Sequence, residues 1–228
     1  MLVGAAACGN IAGDLRGVIA IDVVIPDSAR VETGDTIIPT AVALDGAGDT
    51  VTGAAVFWSS LDTAGAGILQ LVDSAAGTFV ALAPGTSQIQ ARVGNLRSNP
   101  IAVTVLLRAD TLFADSTPAR DSVSVAAKPD SLSDSLRIRI RTFADTVAGG
   151  NLPGRRVVFQ LLYPSDTTSF TLVPNDTVTT DAAGLAVVQV KLKNRPLPDS
   201  AVVQATATRV NGRTVHGAPV TFTVVFSP

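Results

Sequence analysis

Residues 136–141 read Leu-Arg-Ile-Arg-Ile-Arg, a strict alternation of apolar and cationic side chains. Successive side chains of a β-strand point to opposite faces of the sheet. The pattern therefore places Leu136, Ile138 and Ile140 on one face and the three arginines on the other. It predicts a strand that is buried on one side and solvated on the other.

The same strand signals recur along the rest of the chain. Short runs rich in Val, Ile, Thr and Phe alternate with clusters of Gly, Pro, Asp and Asn. These clusters are the turn-forming residues expected between strands. Such a series is typical of a β-sandwich. We expect strands in the first half at 18–25, 37–44, 56–58, 68–72, 77–82, 87–93 and 101–107. In the second half we expect them at 122–126, 136–143, 156–163, 170–173, 186–192, 201–209 and 220–226.

The composition also favours an all-β fold. Apolar residues make up 46% of the 228 residues and charged residues 16%, which excludes a disordered chain. The chain has 18 Asp but a single Glu, so charged helix-forming residues are nearly absent. The length suits two domains of roughly 100 residues each. We place them at 17–107 and 121–228, with a linker at 108–120 that has the mixed polarity and proline of an interdomain connection.

The scarcity of reactive side chains argues against an enzyme. The chain has one His, His216, and one Cys, Cys8, so it cannot build a Cys/His zinc site or an internal disulfide. It contains no Gly-x-Ser-x-Gly motif and no glycine-rich phosphate- or dinucleotide-binding motif. Basic residues are not interleaved with aromatic residues as nucleic-acid binding requires. We therefore expect no catalytic residue, no cofactor, no metal, no small-molecule substrate and no nucleic-acid partner.

The beginning of the chain carries a lone cysteine after small residues. It reads MLVGAAACGN, in which an apolar run and three alanines precede Cys8. This resembles the end of a bacterial lipoprotein signal, and we interpret 1–16 as a signal remnant and N-terminal tether. The resemblance implies that Cys8 is lipidated and anchors the protein to a membrane on the extracytoplasmic side, in the periplasm or at the cell surface. The alternative is that Cys8 is an ordinary small apolar residue.

Four features follow one another in the first half of the chain. They are Pro26 after the first strand, Gly34 before the second, Trp58-Ser59-Ser60 on the third, and a hairpin sequence at 83–91 that contains Gly-Thr. In this order they resemble the group 2 bacterial immunoglobulin-like domain. A Trp on the third strand of a sandwich usually fills the core, so we expect Trp58 to be buried rather than to anchor a partner.

The second half carries a different signature. It has a Pro-to-Phe segment at 153–159, Thr-Asp-x-x-Gly-x-Ala at 180–186 and Val-Gln-Ala at 203–205. These motifs resemble the group 1, or invasin-type, immunoglobulin-like domain. We expect Asp181 to cap a tight turn in which Gly184 takes a positive φ, so that the chain can enter the next strand.

Both families are binding and structural modules of adhesins and surface proteins, without catalytic residues. The two resemblances imply two tandem immunoglobulin-like β-sandwich domains with a non-enzymatic role. We expect a membrane-tethered accessory subunit that docks on an envelope protein or on a larger secretion, respiratory or photosynthetic complex. The alternative is a cell-surface adhesin or carbohydrate-binding fragment, which would need two or three exposed aromatic side chains on one face.

The arginines provide the candidate interaction surface. Residues 17–107 carry eight acidic and three basic residues, whereas 108–228 carry ten acidic and thirteen basic ones. The basic excess includes Arg137, Arg139, Arg141, Arg155 and Arg156. These side chains could bind an acidic protein surface or anionic lipid headgroups. The alternative is a solvated sheet face whose like charges prevent aggregation.

Overall fold

A computed structural model describes most of the chain. The described residues are 17–62, 67–115, 120–124, 132–143, 150–164, 169–193 and 199–227, and for 120–124 and 227 only the backbone is described. The chain divides into two compact units, Met1–Val105 and Leu106–Pro228. Cys8 and the predicted tether lie outside the described residues.

The first unit is built from short strands. They are β1 (Ala20–Val24), β2 (Arg30–Glu32), β3 (Thr36–Ile37), β4 (Thr40–Leu44), β5 (Phe57–Ser60), β6 (Leu69–Asp73), β7 (Thr78–Ala81), β8 (Gly85–Val93), β9 (Leu96–Arg97) and β10 (Ile101–Leu106). The main sheet has the order β2-β10-β8-β5, with β9 paired to β8. Two smaller sheets, β1-β4 and β3-β7-β6, complete the unit.

A single hydrophobic core joins these sheets. Buried side chains of β2, β5, β8 and β10 meet those of β3, β6 and β7, and the inner side chains of β1 and β4 pack against the same cluster. Trp58 lies in this core with 5% of its surface exposed. Its ring meets that of Phe79 edge to face, with centroids 6.3 Å apart. The prediction that Trp58 is buried is confirmed.

Gly77 makes room for the Trp58 ring. Its φ is +69°, and a Cβ added there would lie 2.6 Å from the indole Nε1. A side chain at this position would meet both a backbone conformation that favours glycine and a steric clash. The glycine is therefore part of the packing around the tryptophan.

The second unit has two larger sheets. Its strands are β11 (Thr111–Ala114), β12 (Arg120–Ser124), β13 (Leu136–Arg141), β14 (Arg156–Tyr163), β15 (Phe170–Val173), β16 (Thr177–Thr179), β17 (Leu185–Leu192), β18 (Ser200–Thr206) and β19 (Val220–Ser227). One sheet has the order β11-β13-β17-β15 and the other β12-β19-β18-β14-β16. Pairing is antiparallel except between β12 and β19, which run parallel.

Alternating inward side chains of both sheets form the core of the second unit. Strands β13 and β17 contribute from one sheet, and β14, β18 and β19 from the other, to one buried cluster. Leu136, Ile138 and Ile140 are fully buried in it, as the alternation in 136–141 predicts. The prediction of an all-β fold is confirmed, and the described residues contain no α-helix.

The structure differs from the expected strands at several points. The predicted linker 108–120 contains β11, because Leu112 faces the core and the strand pairs with β13. The predicted strand 37–44 is divided between β3 and β4, which belong to different sheets. Strands β2, β9 and β16 were not predicted, since each has only two or three residues, too few for periodicity to be read.

We predict that Trp58→Ala lowers the free energy of unfolding of the first unit by about 3–5 kcal/mol, because it leaves a large cavity. Urea unfolding followed by far-UV circular dichroism measures the change. Val72→Ala is the control within the same unit, since Val72 is 62% exposed and its truncation should cost less than about 0.5 kcal/mol. Equal effects of the two substitutions would contradict the placement of Trp58.

Candidate interaction surface

Strand β13 presents three arginines on the outer face of its sheet. The fully buried Leu136, Ile138 and Ile140 fix the orientation of the strand. Arg137 and Arg141 are exposed and Arg139 is half-buried. We call the outer face around these three arginines, with the side chains paired to them on β11 and β17, the arginine face.

Arg139 is held at the centre of this face by a carboxylate. Its Nε and Nη2 atoms donate to Oδ1 and Oδ2 of Asp115, both at 3.1 Å. The fork of a guanidinium matches the two oxygens of a carboxylate, and such paired, charge-assisted bonds fix both groups. Asp115 is itself anchored, because its amide donates to the carbonyl of Arg137 at 2.9 Å.

Two further acceptors complete the surroundings of Arg139. Its Nη1 donates to Oδ1 of Asn151 at 3.0 Å and to the carbonyl of Ala183 at 2.9 Å. Arg139 therefore makes hydrogen bonds to three different residues.

The turn at 181–184 positions the Ala183 carbonyl. Asp181 Oδ1 accepts hydrogen bonds from the amides of Ala183 and Leu185 at 2.8 and 2.9 Å. Gly184 has a φ of +71°, and a Cβ there would come within 2.9 Å of the Ile140 carbonyl oxygen. This is the capped turn that the sequence predicts for Asp181 and Gly184, and it aims a backbone acceptor at Arg139.

The arginines hold Asp115 in its ionised form. The hydrogen bonds from Arg139 lower the pKa of Asp115 below its ordinary value, against the opposing effect of burial, and the charges of Arg139, Arg137 and Arg141 lower it further. A carboxylate whose pKa is depressed on folding stabilises the folded state above its unfolded pKa, and this contribution is lost as the pH falls through the folded pKa.

Arg141 lies over an aromatic ring. Its guanidinium carbon is 5.3 Å from the centroid of Phe113, within the range of a cation–π contact. Phe113 stands directly opposite Arg139 in the pairing of β11 with β13. The apolar ring therefore supports an exposed cation on the arginine face.

The next strand adds apolar side chains to the same face. Val187 is the partner of Arg137 and Leu185 the partner of Arg139 in the pairing of β17 with β13. Residues directly opposite in an antiparallel pair share a face, and both side chains are half-buried. The arginine face thus combines cations with apolar side chains.

The five candidate arginines do not form one surface. Arg156 is exposed on β14, which belongs to the other sheet of the unit, so its side chain lies on the opposite side of the core. Arg155 is half-buried, and its Nη2 donates to the carbonyl of Leu107. The structure brings together Arg137, Arg139 and Arg141, and it separates Arg155 and Arg156 from them.

A second carboxylate orders the end of β13. Burial would raise the pKa of Asp110, but the hydrogen bond from the Phe143 amide and the contacts with Arg108 and Thr142 lower it below its ordinary value. Asp110 Oδ2 accepts from the Phe143 amide at 2.7 Å. The backbone that follows β13 is thereby fixed while the Phe143 side chain remains 70% exposed.

Exposed aromatic side chains are divided between the two sheets of the second unit. Phe143 follows β13 in one sheet, and Tyr163, 51% exposed, ends β14 in the other. Phe57 and Phe113 are half-buried beneath Arg92 and Arg141. The described aromatics therefore do not form the shared exposed platform that stacking on a sugar would need.

Other features of the described residues offer little chemistry. No three His, Cys, Asp or Glu side chains among them are placed to hold a metal ion. His216 is exposed, and its carbonyl accepts from the Leu112 amide at 2.8 Å. A groove of about 570 Å³ between β14 and β15 has Asp176 and Lys193 as its titratable lining. In the part of the chain that the structure describes, no helix is long and apolar enough to cross a membrane.

The sequence alone does not identify the groups that organise the arginine face. Asp115 falls within the predicted linker, and no motif singles out Asn151. A weaker signal was present, since Leu112, Phe113 and Ala114 form a short apolar run between Thr111 and Asp115, which is consistent with a strand but lacks the alternation that identified β13.

Comparisons with known proteins give distant structural likenesses. No family model and no curated protein matches the sequence. The adhesin InvE of Yersinia pseudotuberculosis aligns with 91% of this chain at 18% identity and a TM-score of 0.41, and the chain spans 59% of its length. The D00-D0 domain of intimin aligns over 91% of this chain and all of its own, at 15% identity and a TM-score of 0.35. Domains 4 and 5 of the S-layer protein SbsC align over 92% and 99%, at 14% identity and a TM-score of 0.34. Likenesses this distant carry no argument about function.

We predict that Asp115→Asn lowers the free energy of unfolding at neutral pH by about 1–3 kcal/mol, because Arg139 loses its charged partner. The deficit should shrink as the pH falls below about 4, where an ordinary carboxyl becomes protonated and the wild type loses the same contribution. Urea unfolding at several pH values measures both effects.

Asp176→Asn is the control, since Asp176 is an exposed carboxylate on another part of the unit. It should leave the stability and its pH dependence unchanged. If Asp115→Asn lowered the free energy of unfolding by the same amount at all pH values, the charged interaction between Asp115 and Arg139 would be contradicted.

Proposed function

We propose that the chain is a non-enzymatic interaction protein of the cell envelope. It is held on the extracytoplasmic side of a membrane by a lipid on Cys8 and docks, as an accessory subunit, on an envelope protein or a larger membrane complex. The observation that carries the proposal is the ordered row of arginines on the outer face of a sheet. The lone Cys8 after three alanines supports the anchor.

The geometry of β13 supports docking because one side of the strand packs in the core and the other side presents arginines to solvent. The inner side chains belong to the core, so the strand cannot rotate without exposing Leu136, Ile138 and Ile140. The outer side chains include a clamped Arg139 and a stacked Arg141. A cationic surface whose side chains are already ordered loses less conformational entropy when it meets an acidic partner.

The alternative role, a carbohydrate-binding or adhesin fragment, is less well supported. A carbohydrate-binding fragment would need several exposed aromatic side chains on one face, whereas Phe143 and Tyr163 lie on different sheets. Docking through the arginine face, by contrast, uses cationic side chains that the fold of the second unit brings together.

We predict that the full chain fractionates with its native membranes and that Cys8→Ser moves it to the soluble fraction after a high-salt wash, because the acyl chains supply the attachment and salt screens docking through the arginines. After extraction in mild detergent, the wild type should co-purify with a protein partner. Arg137→Glu/Arg141→Glu should remain with the membrane and lose that partner, since both exposed charges are reversed.

Arg156→Glu is the matched control, because it reverses an exposed charge on the other sheet. It should retain the partner. Mass spectrometry of the wild type should show an acylated Cys8 at the mature N-terminus. A free thiol on Cys8 with residues 1–7 retained would refute the anchor, and co-purification that survives the double reversal would refute docking through the arginine face.

A further inference from the structure

We propose that the first unit carries a binding site for a phosphate monoester, formed by Arg92 and Arg97. The two arginines lie directly opposite each other on a hairpin, and the ring of Phe57 supports one of them. The site belongs to the first unit and the arginine face to the second, so the inference goes beyond docking through that face and does not depend on it.

The pairing of three strands places these side chains in one row. Arg92 of β8 is the partner of Arg97 on β9 and of Phe57 on β5. Side chains directly opposite in an antiparallel pair share a face. Ala91, the neighbour of Arg92, is fully buried in the core, so the row lies on the outer face of the sheet. Both arginines are exposed there.

The backbone brings the two arginines close together. The Ser98 amide donates to the Ala91 carbonyl at 2.9 Å, so the backbone polar groups of Ala91 face the β9 side and those of Arg92 face β5. Arg92 and Arg97 are therefore a non-hydrogen-bonded pair, in which the Cα atoms are only about 4.5 Å apart. Gly94, with a φ of +56°, begins the two-residue turn that fixes this pairing.

No acidic side chain balances this pair of cations. In the part of the chain that the structure describes, neither Arg92 nor Arg97 forms an ion pair with a carboxylate. Residues 17–107 contain eight acidic and three basic residues, so two of the three basic side chains of an acidic unit meet at one point. Like charges directly opposite in a sheet destabilise it, and a bound anion would remove that cost.

Phe57 holds one of the two cations in place. The guanidinium carbon of Arg92 is 5.1 Å from the centroid of the Phe57 ring, within the range of a cation–π contact. The next residue, Trp58, is buried in the core on the opposite side of β5, so the strand cannot turn the ring away. A guanidinium that is ordered before binding loses less conformational entropy when the anion arrives.

The donors and the charge of the pair favour a phosphate monoester over a carboxylate. A guanidinium donates paired hydrogen bonds to two oxygens, so a single arginine already satisfies a carboxylate. A phosphate monoester has three terminal oxygens and a charge of about −1.5 to −2 near pH 7. It can therefore accept hydrogen bonds from both guanidiniums and neutralise both. A phosphodiester lacks the third oxygen and the second charge.

The test is a titration of the full chain with methyl phosphate at about pH 7.5, followed by NMR of the arginine Nε–Hε groups. We expect the signals of Arg92 and Arg97 to shift together and to saturate, while that of Arg156, exposed in the second unit, does not move. The dissociation constant should be at least tenfold lower than that for acetate. At about pH 5.5 the affinity for methyl phosphate should fall about fourfold, because its second pKa is near 6 and the dianionic fraction falls by that factor.

Arg92→Gln and Arg97→Gln are the decisive variants. Each should weaken the binding of methyl phosphate at least tenfold, whereas the matched Arg156→Gln should leave it unchanged. Equal affinity of the wild type for methyl phosphate and acetate, or binding that survives either of the two substitutions, would overturn the inference.

Thermal unfolding shows that the loss of binding is not a loss of folding. Trp58 is the single tryptophan of the chain, so its fluorescence reports on the first unit. Arg97→Gln removes one of two like charges and leaves the stack of Arg92 on Phe57 intact, so it should unfold at the same temperature as the wild type or higher. Saturating methyl phosphate should raise the unfolding temperature of the wild type and not that of Arg97→Gln. An equal rise in both proteins would contradict the site.

Vesicles distinguish the two sources of such a phosphate. The probe is the full chain with Cys8→Ser, sedimented with vesicles that contain either phosphatidic acid, a phosphate monoester, or phosphatidylglycerol, a phosphodiester. Sedimentation with phosphatidic acid alone that Arg97→Gln abolishes would assign the site to a lipid headgroup. Saturable binding of methyl phosphate without such sedimentation would assign it to a soluble phosphorylated compound. Equal sedimentation with both lipids, without binding of methyl phosphate, would overturn the inference.

Discussion

The paired hydrogen bonds between Asp115 and Arg139 organise the outer face of the second unit. The carboxylate follows β11 and the guanidinium belongs to β13, so the interaction ties together the outer sides of two neighbouring strands. It also leaves a neutralised pair at the centre of a row of three arginines. Without Asp115, three like charges on one strand would stand on alternate positions with no opposite charge at their centre.

The consequences of this interaction extend through local structure. The turn capped by Asp181 supplies the Ala183 carbonyl, and Asn151 supplies a side-chain acceptor. Gly184 allows the turn to approach the Ile140 carbonyl closely. Short loops from different parts of the chain therefore converge on one guanidinium, and the ordered surface that results is what we propose to meet a partner.

The sequence was sufficient for the alternation of β13 and for the turn at Asp181 and Gly184, because both depend on neighbouring residues. It was not sufficient for β11. Residues 112–114 form a short apolar run, but the nearby acidic residues and proline gave 108–120 the composition of a connection. Leu112 is buried because pairing with β13 places its side chain against the core of the unit, and such tertiary pairing overrides local composition.

The grouping of the five arginines also could not be read from the sequence. Arg155 and Arg156 follow β13 by some fifteen residues, but β14 belongs to the opposing sheet. Which sheet a strand joins depends on the order of pairing and not on its own pattern of side chains. The arginine face is therefore smaller than the five candidate arginines suggest. It is also more ordered, because Asp115 holds Arg139 in place.

The order of the arginine face depends most directly on the rigidity of Arg139. NMR relaxation of the arginine Nε–Hε groups in the full chain measures it residue by residue. We expect an order parameter for Arg139 of about 0.85, as in rigid backbone, and a value below about 0.6 for the exposed Arg156. In Asp115→Asn the Arg139 value should fall towards that of Arg156. Equal mobility of the two arginines in the wild type would contradict the claim that Asp115 orders the arginine face.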